Sequence, residues 1–121
     1  MDNYCIFILH GSRSPEARLA TNQFKKQLLE NLESPFTVCY LKGDSPSLSE
    51  ALENAVLNGA SNIVCFPLFV MPGQHICEDI PTIIDDFKKK HYNCKIKLLP
   101  SLVENQYFVE FLVRNLETNN E

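Results

Sequence analysis

Nowhere in the 121 residues does an apolar run approach the roughly 20 residues that a membrane span requires. No membrane partner is therefore expected. Met1-Asp2-Asn3 lacks the basic start of a secretion signal, so the chain reads as cytoplasmic. CxxC pairs are also missing. The five cysteines (Cys5, Cys39, Cys65, Cys77 and Cys94) are scattered, which argues against a structural zinc site. Cys5, Cys39 and Cys65 each fall in an apolar run and read as small core residues in a reducing compartment. Cys77 is expected to be buried and inert as well. Basic charge is in short supply: 11 Lys and Arg against 15 Asp and Glu give a net charge of -4. That balance speaks against a nucleic-acid partner, which needs a basic face, yet leaves room for an anionic small molecule held by local cations. Internal repeats, low-complexity tracts and linkers are absent, and the length suits a single domain over residues 1–121.

What is present alternates between short apolar runs and helical periodicity. Tyr4 to Leu9 is a continuous apolar run, the pattern of a parallel strand covered on both faces. Ser14-Pro15 supplies an N-cap and a first-turn proline, and Ala17, Ala20, Phe24 and Leu28 mark the buried face of the helix that follows. Ser34-Pro35 stops it, and Phe36 to Leu41 forms a second strand. Ser47 and Glu50 predict a capping box for a second helix with a stripe of Leu48, Ala51, Leu52, Ala55 and Val56, closed at Gly59. A third strand begins at Ile63 and is expected to run through Pro67 into Val70. A loop over residues 71–75 then leads to a helix carrying Ile80, Ile83, Ile84 and Phe87, ended by Lys88-Lys89-Lys90. Lys95 to Leu99 gives a fourth strand. Phe108, Phe111, Leu112 and Leu116 line a last helix, and residues 118–121 read as a frayed tail.

The order βαβαβαβα predicts an α/β fold: one four-stranded parallel sheet, doubly wound in the flavodoxin-like manner, with helices on both faces. By analogy with such folds the strand order is expected to be 2-1-3-4. Ligands then bind beyond the carboxyl ends of the strands, between the first and third. His10 directly follows the first strand and His75 lies in the loop after the third, each near a glycine, Gly11 or Gly73. A lone histidine at a strand end is more often structural, but two converging on one crevice are candidate ligands and bases. His91, beyond a lysine run at a helix end, is not. His10 to Ser14 also resembles an anion-binding turn at a helix N-terminus, without the spacing of a P-loop or dinucleotide fingerprint. A flavodoxin-like phosphate or nucleotide module is thus a rival reading. An acyl-transfer role for Ser12 fails because the flanking residues do not form a nucleophile elbow.

Longer blocks carry a more specific signal. Leu9-His10-Gly11-Ser12-Arg13-Ser14-Pro15-Glu16-Ala17 resembles the N-terminal signature of the small sirohydrochlorin chelatases. The segment from Pro67-Leu68-Phe69 through Gly73-Gln74-His75 to Asp79-Ile80-Pro81 resembles their second signature, and Pro46 to Leu52 a weaker third. The resemblance covers nearly the whole chain. It implies a chelatase-like fold and a lyase that inserts cobalt, iron or nickel into sirohydrochlorin without ATP, on routes to siroheme or cobalamin-type cofactors. It also implies a homodimer for a chain of this length, and it maps the family's two histidines onto His10 and His75. One position departs from the pattern: Lys42 stands where many relatives carry a glutamate, and a protonated lysine cannot ligate a metal. Either that carboxylate is dispensable, or another acid such as Asp44 or Glu78 substitutes, or activity is reduced; alternatively Lys42 pairs with a substrate carboxylate, or the chain is a tetrapyrrole or metal carrier that has lost turnover.

The chemistry sets matching demands. Metal insertion displaces two pyrrole N–H protons, so the site needs a base and a loose metal ligand, and a neutral imidazole serves as both. His10 and His75 are expected to hold the ion and take up the protons. Ser12, Arg13, Lys42 and the helix start at Ser47 are expected to bind substrate carboxylates, with Gly73 allowing close approach. Leu68, Phe69, Val70 and Met71 are candidates for an apolar wall against the macrocycle. Glu78, Asp79 and Cys77 are secondary candidates for metal contact, although carboxylates at a helix start are ordinarily charge–dipole partners.

Overall fold

Strand β1 (Tyr4–Leu9) forms because six consecutive apolar or aromatic residues can be covered on both faces; Tyr4 to Ile8 are buried and Leu9 is half-buried. In this computed structural model, which describes residues 3–119 and, for His75 and Ile76, the backbone alone, β1 lies centrally. It pairs in parallel with β2 (Phe36–Tyr40) on one side and β3 (Asn62–Pro67) on the other. Strand β4 (Lys95–Leu98) adds beyond β3, giving the order β2-β1-β3-β4 that the sequence predicts. Among the described residues, no helix is long and apolar enough to cross a membrane.

Alternation along the strands builds two cores. Ile6, Ile8, Cys39, Ile63 and Cys65 point to one face and meet Leu48, Ala51, Leu52 and Ala55 of α2 (Leu48–Leu57) and Ile80, Ile84 and Phe87 of α3 (Ile80–Lys90). Fully burying each large aliphatic side chain contributes about 1.5–3 kcal/mol, so this layer dominates the stability. Cys5, Phe7, Val38 and Tyr40 point the other way, toward Phe24 and Leu28 of α1 (Pro15–Asn31). Burial pushes the Cys39 and Cys65 thiols up to about 12, and those of Cys5 and Cys94 upward as well, so all four stay protonated as core residues.

The capping predictions hold. Ser14 accepts from the Ala17 N–H at 3.1 Å. Ser47 and Glu50 form a reciprocal box, with Glu50 Oε1 accepting from the Ser47 N–H at 2.8 Å and Ser47 Oγ accepting from the Glu50 N–H at 3.2 Å. Gly59 follows α2 with φ +88°, the left-handed conformation expected there.

Four expectations change. Strand β3 stops at Pro67 and does not reach Val70: proline cannot donate to a ladder, and after one further bond (Leu68 N–H to Ile8 O, 2.9 Å) the chain leaves the sheet. The predicted loop through His75 gives way at His75 to a π-helical turn, His75–Asp79. Pro81, in the first turn of α3, has no N–H to donate four residues back to Cys77 O, while the Cys77 N–H itself donates to Gly73 O at 2.9 Å. Ala20 is exposed, because α1 packs on its face of the sheet without a neighbouring helix, and of the predicted stripe Ala17, Phe24 and Leu28 are half-buried. The last helix, α4 (Phe108–Thr118), has no buried residue at all, although its periodicity predicts a core face. It follows a 3-10 turn, Leu102–Glu104, and covers neither face of the sheet. Of the expected frayed tail, residues 120–121 lie outside the described residues, while Thr118 ends α4.

Candidate functional site

The carboxyl ends of β1 and β2 are stitched together beyond the sheet. The Leu41 N–H donates to Leu9 O at 3.0 Å and the Lys42 N–H to His10 O at 3.1 Å. These bonds fix the His10 backbone beside the β2 loop. Gly11 then turns the chain at φ +106°, and the approach is so close that a Cβ there would sit 2.0 Å from Lys42 O. Only glycine fits both the angle and the space. Arg13 reaches back across the same turn, its Nε donating to Gly43 O at 3.1 Å. Ser12 Oγ accepts from the Ser14 N–H at 3.3 Å.

His10 is exposed at this edge, and its ring stands edge-on to Phe69 with centroids 6.0 Å apart. Phe69 also packs against the main core, so it bridges the interior and the crevice. It lies in the segment after β3 that leads to His75. The sequence thus brings together, at one sheet edge, the turn carrying His10 and the segment carrying His75. The side chain of His75 lies outside the described residues. Val70 and Met71 are exposed beside Phe69, as a wall for a ligand requires, whereas Leu68 is half-buried and packs into the α1-side core.

A cleft of about 520 Å³ joins Lys42 to Glu78, Asp79 and Thr82 across Leu41 and Ile83. The two acids at the start of the third helical segment therefore share a cleft with Lys42. Glu78 Oε2 accepts from Gln74 Nε2 at 3.1 Å. Asp44, the other substitute acid, turns instead to Arg18 at 3.5 Å. Cys77 is exposed, which corrects the expectation of a buried thiol: the π-helical turn carries it on the outer surface and not into the core. Gly73 is exposed, and an added Cβ there would meet nothing within 4 Å. Ser47 takes part in the capping box through its N–H and, as acceptor, its Oγ. Among the described residues, no three His, Cys, Asp or Glu side chains gather into a metal-holding cluster.

A second, polar cavity of about 240 Å³ adjoins the turn after β1. Ser12, Arg18, Thr21, Asn22, Lys25 and Asp44 are among its lining residues. Arg18, Asn22 and Lys25 were not singled out from the sequence. Their spacing (i, i+4, i+7) would have placed them on one face of α1, but nothing in the pattern distinguishes that face from an ordinary solvated one.

Comparison with known proteins adds the following. The CbiX family model matches residues 4–119. The sirohydrochlorin cobaltochelatase of Saccharolobus solfataricus is 32% identical over 123 residues, an alignment covering 96% of this chain and 95% of that one. The sirohydrochlorin cobaltochelatase of Priestia megaterium is 25% identical over 118 residues, covering 96% of this chain but 38% of its own length. The crystal structure of the sirohydrochlorin chelatase SirB from Bacillus subtilis subspecies spizizenii, in complex with cobalt, superposes with a TM-score of 0.80 at 19% identity, covering 98% of this chain and 51% of that one. The chain therefore spans about half the length, or less, of the longer proteins it matches.

Proposed function

Since this chain belongs to the CbiX family, we propose that it inserts a divalent metal ion (cobalt, iron or nickel) into sirohydrochlorin without ATP, working as a homodimer in the cytoplasm. The single observation that carries this reading is the meeting of the His10 turn and the Phe69 segment at the carboxyl edge of β1 and β3. The names of the relatives, cobaltochelatases and ferrochelatases, supply the substrate class. The five free cysteines, four of them buried, suit the reducing compartment proposed.

In this reading the macrocycle lies against Phe69, Val70 and Met71, which exclude water from one side. His10 and His75 hold the incoming ion, with water completing its shell. Two protein ligands keep it loosely enough to pass on, where a closed four-ligand cage would trap it. As the ion passes into the macrocycle, the ring nitrogen that each imidazole frees accepts one of the two pyrrole protons that the metal displaces. The carboxylates that ring the substrate meet Ser12 and Arg13 and, from the adjoining cavity, Arg18 and Lys25. Gly73 leaves the approach to the edge open. Lys42 binds a further substrate carboxylate, and Glu78, across the same cleft, supplies a carboxylate beside it. Ser47 serves as a helix cap.

Lys42 also favours a second reading, a carrier that binds tetrapyrrole or metal without turnover. Incubating the protein with sirohydrochlorin and cobalt, iron or nickel separates the two. The enzyme reading predicts an absorbance change that continues through many equivalents of substrate per subunit, well above the protein-free rate. A change that stops at one equivalent identifies a carrier.

A further inference from the structure

The crevice between the two histidine-bearing segments has a cation built into its wall. Lys42 follows β2, and its N–H donates to His10 O at 3.1 Å. A Cβ on Gly11 would stand 2.0 Å from Lys42 O, so the two turns are pressed together. Neighbouring strands lie about 4.8 Å apart, which roots the Lys42 side chain beside His10. The other cations of this edge are engaged: Arg13 Nε donates to Gly43 O, and Arg18 faces Asp44 at 3.5 Å.

Lys42 lines the cleft of about 520 Å³ whose far wall includes Glu78, Asp79 and Thr82. Glu78 and Asp79 are the last two residues of the turn that begins at His75, so the cleft lies between that turn and the one carrying His10. Glu78 Oε2 accepts from Gln74 Nε2 at 3.1 Å, and the Thr82 hydroxyl donates to Glu78 O at 2.7 Å. Lys42 belongs to none of the ion pairs among the described residues. Ammonium and carboxylates share the cleft without closing on one another.

An ion held at His10 feels this charge. A unit charge about 8 Å from a divalent ion changes its affinity about fivefold even at the dielectric of bulk water. Glu78 and Asp79 attract the ion, and Lys42 offsets that attraction. We propose that Lys42 sets the order of binding: it holds off free metal until a carboxylate of the tetrapyrrole pairs with it, and the cleft then turns attractive to the ion. This rests on the metallation reading above and adds its order, macrocycle first and metal second. The coupling is reciprocal, because whatever lets the bound macrocycle raise metal affinity lets bound metal raise macrocycle affinity by the same factor. Such a site does not tie up its imidazoles with free ions between turnovers.

Binding measurements test this without turnover, using cobalt alone and metal-free sirohydrochlorin alone. At roughly 0.01 M salt, where screening is weak, Lys42→Gln is expected to bind cobalt at least threefold more tightly than wild type and sirohydrochlorin at least threefold more weakly. Lys42→Arg, which keeps the charge, is expected to match wild type in both. Lys26→Gln, which removes the same charge from an exposed position on α1 that lines neither cavity, is expected to change neither constant. Both differences are expected to vanish at about 1 M salt, as a charge effect does and a packing effect does not. Cobalt binding by Lys42→Gln that is unchanged or weaker, sirohydrochlorin binding that is unchanged or tighter, or shifts that persist at about 1 M salt would each overturn the proposal. Opposed shifts in a protein that does not metallate sirohydrochlorin would overturn the enzyme reading and leave Lys42 as the gate of a carrier. A wild-type protein that binds neither cobalt nor sirohydrochlorin would overturn both.

Discussion

Replacing His10 with alanine is expected to lower the rate of metallation at least 100-fold while leaving the melting temperature within a few degrees of wild type. The asymmetry follows from placement. His10 is exposed just beyond β1 and outside both cores, so truncating its ring opens no buried cavity. Its backbone bond to the Lys42 N–H survives any side-chain change. The proposed chemistry, by contrast, would lose a metal ligand and a proton acceptor together, and positioned acid–base groups alone contribute about 10²–10⁴-fold. His75→Ala is expected to act the same way. If the two imidazoles work on one ion, the double variant is expected to be little worse than the more damaged single, because removing either partner already disables the unit. Steady-state absorbance kinetics with cobalt and sirohydrochlorin measure this, and multiplicative losses would show two independent roles.

The second large effect concerns the backbone that presents His10. Gly11→Ala forces a side chain into φ +106° and drives its Cβ toward Lys42 O, to a separation of 2.0 Å. Unfavourable backbone conformations of this kind cost of order 1–3 kcal/mol before any clash is counted. Relief requires the β1 and β2 loops to part, which breaks the Lys42–His10 bond. A fall in stability of about 3 kcal/mol or more is expected, together with near-complete loss of activity, since His10 is displaced with the turn. Gly73→Ala is the control: with φ in the ordinary range and open space around it, it is expected to fall within about 0.5 kcal/mol of wild type. Urea denaturation of the two variants makes the comparison, and equal stabilities would refute this description of the turn.

The layers of the fold were legible because each depends on a local rule. The apolar run Tyr4–Leu9 requires cover on both sides, the Ser47–Glu50 pair caps a helix reciprocally, and alternating strands and helices leave little choice but a parallel sheet. The strand order came from analogy with doubly wound folds and agrees with the structure. The misses lie where a pattern specifies an apolar face without naming its cover. The stripe of α4 is as regular as that of α3, yet α3 packs on the sheet and α4 does not. Ala20 on α1 fails similarly, for want of a neighbouring helix. The π-helical turn at His75–Asp79 has no signature in the apolar pattern, and the exposure of Cys77 goes with it. At the site, the His10 turn could be read from its motif, including the glycine. The cavity lined by Arg18, Asn22 and Lys25 could not, because it depends on how α1 lies against the β2 loop.

Cobalt K-edge absorption of the protein loaded with one equivalent of cobalt addresses the shared ion itself. The account predicts scattering from two imidazoles per cobalt, falling to one in His10→Ala and in His75→Ala. Scattering that contains no imidazole, or that neither substitution alters, would contradict it.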